Sequence, residues 1–329
     1  MADAGHIEVL EGGLQATVQD YPGRQGMLRQ GFFPSGAMDH FALRAANLLV
    51  GNPPSAAGIE VALGNVAFKP DRDVAVAVCG APVELTVDGE PMPLWESRTV
   101  PAGAEIKMGL APGPGFRMYV ACAGGIDVPP LFDSRATYTM GALGGFEGRA
   151  LKAGDRLPVG STGDPPRALR FKESARPAYA RDWEIEAVPG PHAAPDFLTE
   201  EGMRDFFEKR WPVDRNSDRT GIRLQSHQFG WARDTGGVAG GHPSNILDNP
   251  YPVGAVNING DLPVILGPDG PTAGGFVVAA TVAHAAFWKI GQLRPVGDHL
   301  RFRQVSVDDA AELEREQREL LSEASLEDA

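Results

Sequence analysis

The chain has 329 residues, 43% of them apolar, and a formal net charge of −13. This composition predicts a folded protein with one large core or two smaller ones and excludes wholesale disorder. The acidic charge argues against nucleic-acid binding. Because no apolar run is long enough to span a membrane and no signal-peptide core is found near the N-terminus, we expect a cytoplasmic protein without membrane contact.

The first half of the chain is predicted to be mainly β-structure. The segment LQATVQD, at residues 14–20, alternates apolar and polar side chains as a half-buried strand does. The segment HFALRAANLLVG, at residues 40–51, instead repeats with the period of a helix, which Gly51 is expected to end. Further short apolar runs follow at close spacing, a pattern typical of a closed or nearly closed barrel.

The second half combines strands with a few helices. The polar segment from Ser161 to Asp182 is a candidate boundary, and a helix capped by Thr199 is predicted after it. Asn259 to Asp261 forms a hairpin signal between two apolar strands. A charged helix is expected from Ser306 to about residue 325, with a frayed tail. The predicted units are residues 1–165, 166–305 and 306–329, in a mainly β protein with a few helices.

Metal and nucleotide motifs are absent from the sequence. The seven histidines lack paired ligand spacing and the two cysteines form no Cys-x-x-Cys, so we expect no metal. Cys79 and Cys122 lie in apolar runs, which favours buried free thiols over a disulfide. We find no phosphate-binding loop ending in Gly-Lys-Ser/Thr and no Gly-x-Ser-x-Gly elbow, which disfavours an α/β-hydrolase.

Polar residues and glycines concentrate between Gly240 and Phe276. Asn257 stands in an otherwise apolar strand, where its amide must find partners or cost about 1–3 kcal/mol. Asp269 precedes a segment with one proline and three glycines, more backbone freedom than a turn requires. Two interpretations remain open: these side chains tie down a hairpin, or they line a pocket for a small, polar, planar substrate.

Two stretches in the first half offer weaker signals. Gly124 and Gly125 follow an apolar strand and form either a bulge or a pair of backbone N–H groups facing an anion. Gln19 and Arg24 lie in a glycine-containing loop, which is either a turn or the mouth of the predicted barrel.

Longer motifs resemble a known family. TVQDYPGRQG, GFFPSGAMDHFALRAANLLVGN, ACAGGIDVPP and GALGGFEGRALKAGDRL are similar to the allophanate hydrolase subunit 2 family, over about Gly12 to Ser306. This family includes the C component of 5-oxoprolinase and the second half of the carboxyltransferase domain of urea carboxylase. HPSNILDNPYPVGAVNINGDLPVILGPDGPTAGGF and WKIGQLRP resemble the urea carboxylase branch more closely. Gly241, where a serine is usual, and Thr272-Ala273, where Ser-Leu is common, depart from the pattern.

The resemblance implies two cyclophilin-like β-barrel units, a subunit 1-like partner, and transfer of a carboxyl group from carboxybiotin to the nitrogen of urea or a similar compound. Biotin would arrive on a separate carrier served by a biotin carboxylase, with ATP used in the complex. The residues implied as catalytic are Asn245, Asn257 and Asp269, and those implied in substrate binding are Asp261, Gln19, Arg24, Gly124 and Gly125.

Two alternatives stay open. The chain is similar to the C component of an ATP-dependent 5-oxoprolinase, which implies opening of a lactam. Some relatives carry names that indicate a regulatory subunit without catalytic activity.

Overall fold

The computed structural model describes residues 5–161 and 167–329. By internal contacts the chain divides into two units. The first comprises Met1–Met27, Pro34–Tyr179 and Arg318–Ala329, and the second comprises Leu28–Phe33 and Ala180–Gln317. The predicted boundary between residues 165 and 166 lies outside the described residues.

Strands dominate both units, which confirms the prediction of a mainly β chain with a few helices. Up to residue 171 the elements are β1 (Gly5–Gly12), β2 (Gln15–Gln19), α1 (His40–Leu49), β3 (Gly58–Ala62), β4 (Gly64–Pro70), β5 (Val74–Gly80), β6 (Leu85–Val87), β7 (Glu90–Pro91), β8 (Ser97–Val100), β9 (Ile106–Leu110), β10 (Arg117–Cys122), β11 (Arg156–Val159) and β12 (Leu169–Phe171). They continue as β13 (Asp182–Pro189), α2 (Glu200–Glu208), β14 (Trp211–Pro212), β15 (Gly221–Arg223), β16 (Asn245–Pro250), β17 (Ala255–Asn259), β18 (Leu262–Leu266), β19 (Ala273–Val282), α3 (Phe287–Gln292), β20 (His299–Gln304), α4 (Val307–Leu320) and β21 (Leu326–Asp328).

The first unit contains two larger sheets around one core. Their strand orders are β11-β1-β4-β9-β6-β7 and β2-β3-β10-β5-β8. Apolar side chains from both sheets, among them Val9, Phe68, Val78 and Val120, are buried in the same cluster. Helix α1 packs against β5 and β10. It begins after Asp39, whose Oδ1 accepts a hydrogen bond from the Ala42 N–H at 2.8 Å, as expected of an N-cap.

The second unit is built on one sheet with the order β14-β20-β13-β19-β17-β18-β15, while β16 pairs with β19 beside this path. Each of the three larger sheets runs from one end strand to another. Closure into a barrel requires the end strands to pair with each other, and among the described residues they do not. The barrels implied by the family resemblance are therefore open sheets in this chain.

Local signals in the sequence located several elements correctly. Thr199 caps α2 by accepting the Gly202 N–H at 2.9 Å, and β17 and β18 form the hairpin predicted around Gly260. Cys79 and Cys122 are buried free thiols, as predicted. The prediction of a frayed tail is wrong, because β21 pairs with β12 and covers an edge that lies about 150 positions earlier in the chain.

Candidate functional site

Asn257 lies at an irregularity in the second unit's sheet. Its neighbours across the sheet are Val264 on β18 and Val278 on β19. The register between β17 and β19 shifts at Asn257, because Val256 pairs with Ala280 and the intervening Ala279 is passed over. This is a β-bulge, a device that redirects side chains near functional sites.

The Asn257 side chain is buried in apolar surroundings. It shares a face with Val264 and Val278, since directly opposed residues of a sheet point the same way. That face carries a small apolar cluster of Tyr251, Ala255, Leu266 and Val278, with Val264 packed on it. Asn257 is 6% exposed, and no donor within the described residues reaches its Oδ1. A buried acceptor left open costs about 1–3 kcal/mol, so this oxygen is a local indication of a ligand.

Tyr251 holds the strand beside Asn257. Its hydroxyl donates to the Phe276 carbonyl at 2.9 Å and accepts the Phe276 N–H at 2.7 Å. Phe276 is where β19 leaves β16, before Val277 begins the pairing with β17. Burial raises the pKa of the Tyr251 phenol, against the opposing effects of the Phe276 N–H and the Asn257 side chain. The phenol therefore remains protonated. Its two hydrogen bonds to Phe276 fix the point at which β19 stops pairing with β16 and begins to pair with β17.

Asp269 is committed to an ion pair. Its Oδ2 accepts from Arg219 Nε at 2.8 Å and its Oδ1 accepts from Arg219 Nη2 at 3.2 Å. The Asp269 N–H also donates to the Arg219 carbonyl at 3.2 Å. Both side chains are about 95% buried. The carboxylate thus fixes the turn after β18, and this arrangement supports a positioning role more than that of a catalytic base.

Asn245 and Asp261 lie at the same end of the sheet. The Asn245 carbonyl accepts from Arg233 Nη2 at 2.6 Å, and its N–H donates to the His242 carbonyl. The Asn245 side chain packs against Gly240, where an added Cβ would lie 2.3 Å from Nδ2. Asp261 is at the tip of the hairpin, and its Oδ1 is 3.9 Å from His242 Nε2.

Sequence reasoning missed three residues here: Arg219, Tyr251 and His242. Arg219 and Tyr251 carry no local signal, because each acts on a residue far along the chain. His242 has no second histidine at metal-ligand spacing, so the motif rules for metal sites do not indicate it. The signal that could have found it is the His-Pro-Ser sequence, in which Ser244 folds back on the imidazole with its Oγ 2.9 Å from Nδ1.

Gln19 and Arg24 hold chain segments together inside the first unit. Gln19 is fully buried; its Nε2 donates to Thr17 Oγ1 and the Thr137 carbonyl, and its Oε1 accepts the Gly36 N–H. Arg24 is 2% exposed and donates to the backbone carbonyls of residues 131 and 136. These contacts favour the interpretation of the loop as a structural turn.

Gly124 and Gly125 line a cavity of about 510 Å³ in the first unit, together with Asn52 and Arg135. The Gly124 N–H donates to Asn52 Oδ1 at 2.8 Å, and the Gly125 N–H donates to the Cys122 carbonyl at 2.8 Å. Both N–H groups are therefore used within the unit. Gly124 and Gly125 therefore line the cavity, but they do not offer the two free N–H donors that an anion would need.

The predicted residues thus divide between the units. Asn245, Asn257, Asp261 and Asp269 belong to the second, and Gln19, Arg24, Gly124 and Gly125 belong to the first. In the described ranges 5–161 and 167–329, no group of three His, Cys, Asp or Glu side chains could hold a metal ion. Within the same ranges, no helix is both long and apolar enough to cross a membrane.

Comparison with known proteins adds the family context. The model of the family described as carboxyltransferase domain, subdomain A and B, matches residues 30–304. Urea amidolyase of Saccharomyces cerevisiae is 38% identical over 317 residues, covering 94% of this chain and 17% of its own length. The C component of Escherichia coli 5-oxoprolinase is 32% identical over 314 residues, covering 94% of this chain and 95% of its own. The crystal structure of Kluyveromyces lactis urea carboxylase superposes with a TM-score of 0.92 at 39% identity, covering 96% of this chain and 29% of that one.

Proposed function

The chain belongs to the family of carboxyltransferase domains, subdomains A and B, and on that premise we propose that it transfers a carboxyl group to a nitrogen acceptor, urea or a urea-like compound. In this proposal it is the carboxyltransferase half of a biotin-dependent urea carboxylase, equivalent to subunit 2 of an allophanate hydrolase-like complex. The observation that carries the proposal is the open, buried Oδ1 of Asn257, in a chain 38% identical to a urea amidolyase.

The residues around Asn257 fit such chemistry. Both urea and the ureido ring of biotin present N–H groups, and Asn257 Oδ1 is a buried acceptor without a donor among the described residues. Carboxybiotin, held on a separate carrier protein, would supply the activated carboxyl group. Asn257 orients one N–H, while the apolar side chains of Val264 and Val278 keep water from it. Transfer would form a bond from the acceptor nitrogen to the carboxyl carbon and break the bond from that carbon to the ureido nitrogen of biotin. The released biotin nitrogen would take up the proton that the acceptor nitrogen loses.

Other residues of this unit have supporting roles in the proposal. Tyr251 and the buried Arg219–Asp269 pair keep the strands and turn that flank Asn257 in place. Asn245 and Asp261 lie near the hairpin tip, where they would meet the substrate. Pre-organised groups of this kind lower a barrier because little reorganisation is needed at the moment of reaction.

Partner proteins are part of the proposal. The chain spans between 17% and 25% of the urea carboxylase and urea amidolyase relatives it matches. We therefore propose that a biotin carboxylase, a biotin carrier and a subunit 1-like protein act with it in the cytoplasm, and that ATP is consumed elsewhere in the complex.

The experiment follows the labelled carboxyl group. Biotin carboxylase, carrier, ATP and ¹⁴C-bicarbonate would generate the donor, and the chain would be added with its subunit 1-like partner and urea. We expect label in N-carboxyurea that depends on this chain. No label in urea or in any other nitrogen acceptor would overturn the proposal.

A second function is favoured by one specific observation. This chain covers 95% of the length of the E. coli 5-oxoprolinase C component, so it matches a free-standing subunit as well as a domain of a larger enzyme. The alternative is therefore ATP-dependent opening of the 5-oxoproline lactam. ATP hydrolysis that depends on 5-oxoproline, without carboxyl transfer to urea, would select it.

A further inference from the structure

The imidazole of His242 is held in one orientation by Ser244. His242 Nδ1 is 3.1 Å from the Ser244 N–H and 2.9 Å from Ser244 Oγ, which itself accepts the Gly260 N–H at 3.0 Å. A backbone N–H can only donate, so Nδ1 must accept. In the neutral ring the proton is therefore on Nε2, and His242 presents a fixed N–H donor on its outer side.

Asp261 faces this donor across a gap. Its Oδ1 lies 3.9 Å from His242 Nε2, beyond the distance of about 3.2 Å at which the two would bond directly. The two side chains are 39% and 38% exposed, so both are accessible. The Asp261 carbonyl accepts the His227 N–H at 2.8 Å and Ser226 Oγ at 3.2 Å, which anchors the hairpin tip.

A cluster of packed aromatic rings borders the pair. Trp231 meets His242 edge to face, with ring centroids 5.7 Å apart and planes at 88°. Phe229 lies next to Trp231 at 5.9 Å, and His227 lies next to Phe229 at 5.1 Å. The indole Nε1 of Trp231 is buried with no partner in the described part of the chain. Aromatic rings beside a polar pair suit a flat ligand that offers both a polar edge and an apolar face.

We propose that His242 Nε2 and Asp261 Oδ1 together bind the edge of a planar amide, with the ligand carbonyl accepting from His242 and the adjacent ligand N–H donating to Asp261. In an amide the oxygen and the nitrogen on one edge lie roughly 2.2 Å apart, given bonds of about 1.23 and 1.33 Å. The two bonds diverge from the amide edge, so hydrogen bonds of ordinary length reach partners further apart than the two ligand atoms, which the 3.9 Å separation allows. The ligand class is urea or a small lactam.

The same geometry selects against cations. A guanidinium ion offers N–H donors on every edge and no acceptor, so it leaves the His242 N–H unbonded and brings two donors together. A tetra-alkylated urea has the acceptor but lacks the N–H that Asp261 requires. The inference rests on the proposed function for the ligand's role as substrate, and it locates that substrate at the tip of the hairpin whose strand β17 carries Asn257.

The test is equilibrium binding to the full chain without turnover. Urea, guanidinium and tetramethylurea would be titrated while the imidazole nitrogen resonances of His242 are followed by NMR. We expect urea to shift Nε2, and the other two compounds to bind at least tenfold more weakly. Asp261→Ala and His242→Phe should each weaken urea binding at least tenfold. His242→Gln, which keeps a donor, should stay within threefold, and His299→Phe serves as the control outside the pair.

The outcomes separate this inference from the proposed function. Urea binding unchanged in both Asp261→Ala and His242→Phe would overturn the inference, as would guanidinium binding equal to that of urea. Asp261 is half-exposed at a turn, so its alanine variant provides a folded test even if the His242 variant is unstable. Urea bound through this pair without carboxyl transfer would defeat the proposed function and leave the inference standing. Carboxyl transfer to urea with an unchanged KM for urea in both Asp261→Ala and His242→Phe would support the proposed function and overturn the inference.

Discussion

Arg219 and Asp269 form a buried ion pair joined by two hydrogen bonds, Nε to Oδ2 at 2.8 Å and Nη2 to Oδ1 at 3.2 Å. The two residues are 50 positions apart, and the Asp269 N–H also donates to the Arg219 carbonyl. The family resemblance implies a catalytic role for Asp269. The geometry favours a carboxylate that neutralises a buried guanidinium and fixes the turn after β18.

Asp269→Ala should lower the free energy of unfolding by about 3–5 kcal/mol, because it leaves the Arg219 charge buried and uncompensated. Guanidinium chloride titration would measure this loss. Asp308→Ala, an exposed change in the first turn of α4, should cost less than about 1 kcal/mol. An Asp269→Ala protein as stable as the native chain would contradict the ion pair's structural role.

Asn257→Val should separate stability from function. The change removes a buried Oδ1 that has no donor in the described chain, but it also removes the side-chain hydrogen bond to Tyr251. The two effects oppose each other, so stability should change by less than about 1 kcal/mol. Carboxyl transfer should fall at least a hundredfold. Asn259→Ala, at an exposed position of the same strand, should leave both quantities unchanged. Full activity in Asn257→Val would rule out the amide as a substrate contact.

Gly124→Ala should destabilise the first unit. The residue has φ of +94°, and an added Cβ would lie 2.1 Å from the Gly160 carbonyl oxygen. We expect a loss of more than about 2 kcal/mol. Gly113→Ala is the matched control, because nothing lies within 4 Å of its added Cβ, and it should change stability by less than about 1 kcal/mol. Equal melting temperatures for the two variants would show that the Gly124 backbone can relax.

Asp155 should contribute to the loss of stability in acid. Hydrogen bonds from Arg149, at 2.7 and 2.8 Å, hold the pKa of the Asp155 carboxyl below its ordinary value of 3.8. A depressed folded pKa gives stability that is present above about pH 4 and is lost as pH falls through the folded value.

Asp155→Asn should therefore cost about 1.5–3 kcal/mol at pH 7. The gap between native and variant unfolding free energies should close as pH falls from 6 toward 2. Asp308→Asn, at an exposed site, should show almost no gap at either end. A gap for Asp155→Asn that stays constant across this range would contradict the assigned pKa direction.

Local chemistry explains what the sequence revealed of the fold. Asp39 and Thr199 cap helices within three residues of the N–H groups they bind, and Gly260 turns a hairpin between adjacent strands. Such interactions depend on near neighbours and can be read from a short window. The longer motifs indicated the family to which the chain belongs, because they match that family over many consecutive residues.

The remainder depends on partners distant in sequence. Asn52 accepts the Gly124 N–H across 72 positions, which closes the anion site that the Gly-Gly step suggested. The edge strand β12 pairs with β21 in the C-terminal tail, more than 150 positions later in the chain. In the same way, the bulge that places Val278, and not Ala279, beside Asn257 depends on the register with β19. No spacing rule within a single strand predicts these pairings.

Carboxyl transfer to urea, measured side by side for the native chain and Asn257→Val, is the decisive measurement for Asn257 as a substrate contact in a carboxyltransferase. The donor system would be supplied in excess, and ATP hydrolysis in the presence of 5-oxoproline would be recorded in parallel. We expect labelled N-carboxyurea with the native chain, loss of that product with the variant, and no ATP hydrolysis that depends on 5-oxoproline. Absence of the labelled product together with 5-oxoproline-dependent ATP hydrolysis would contradict this role.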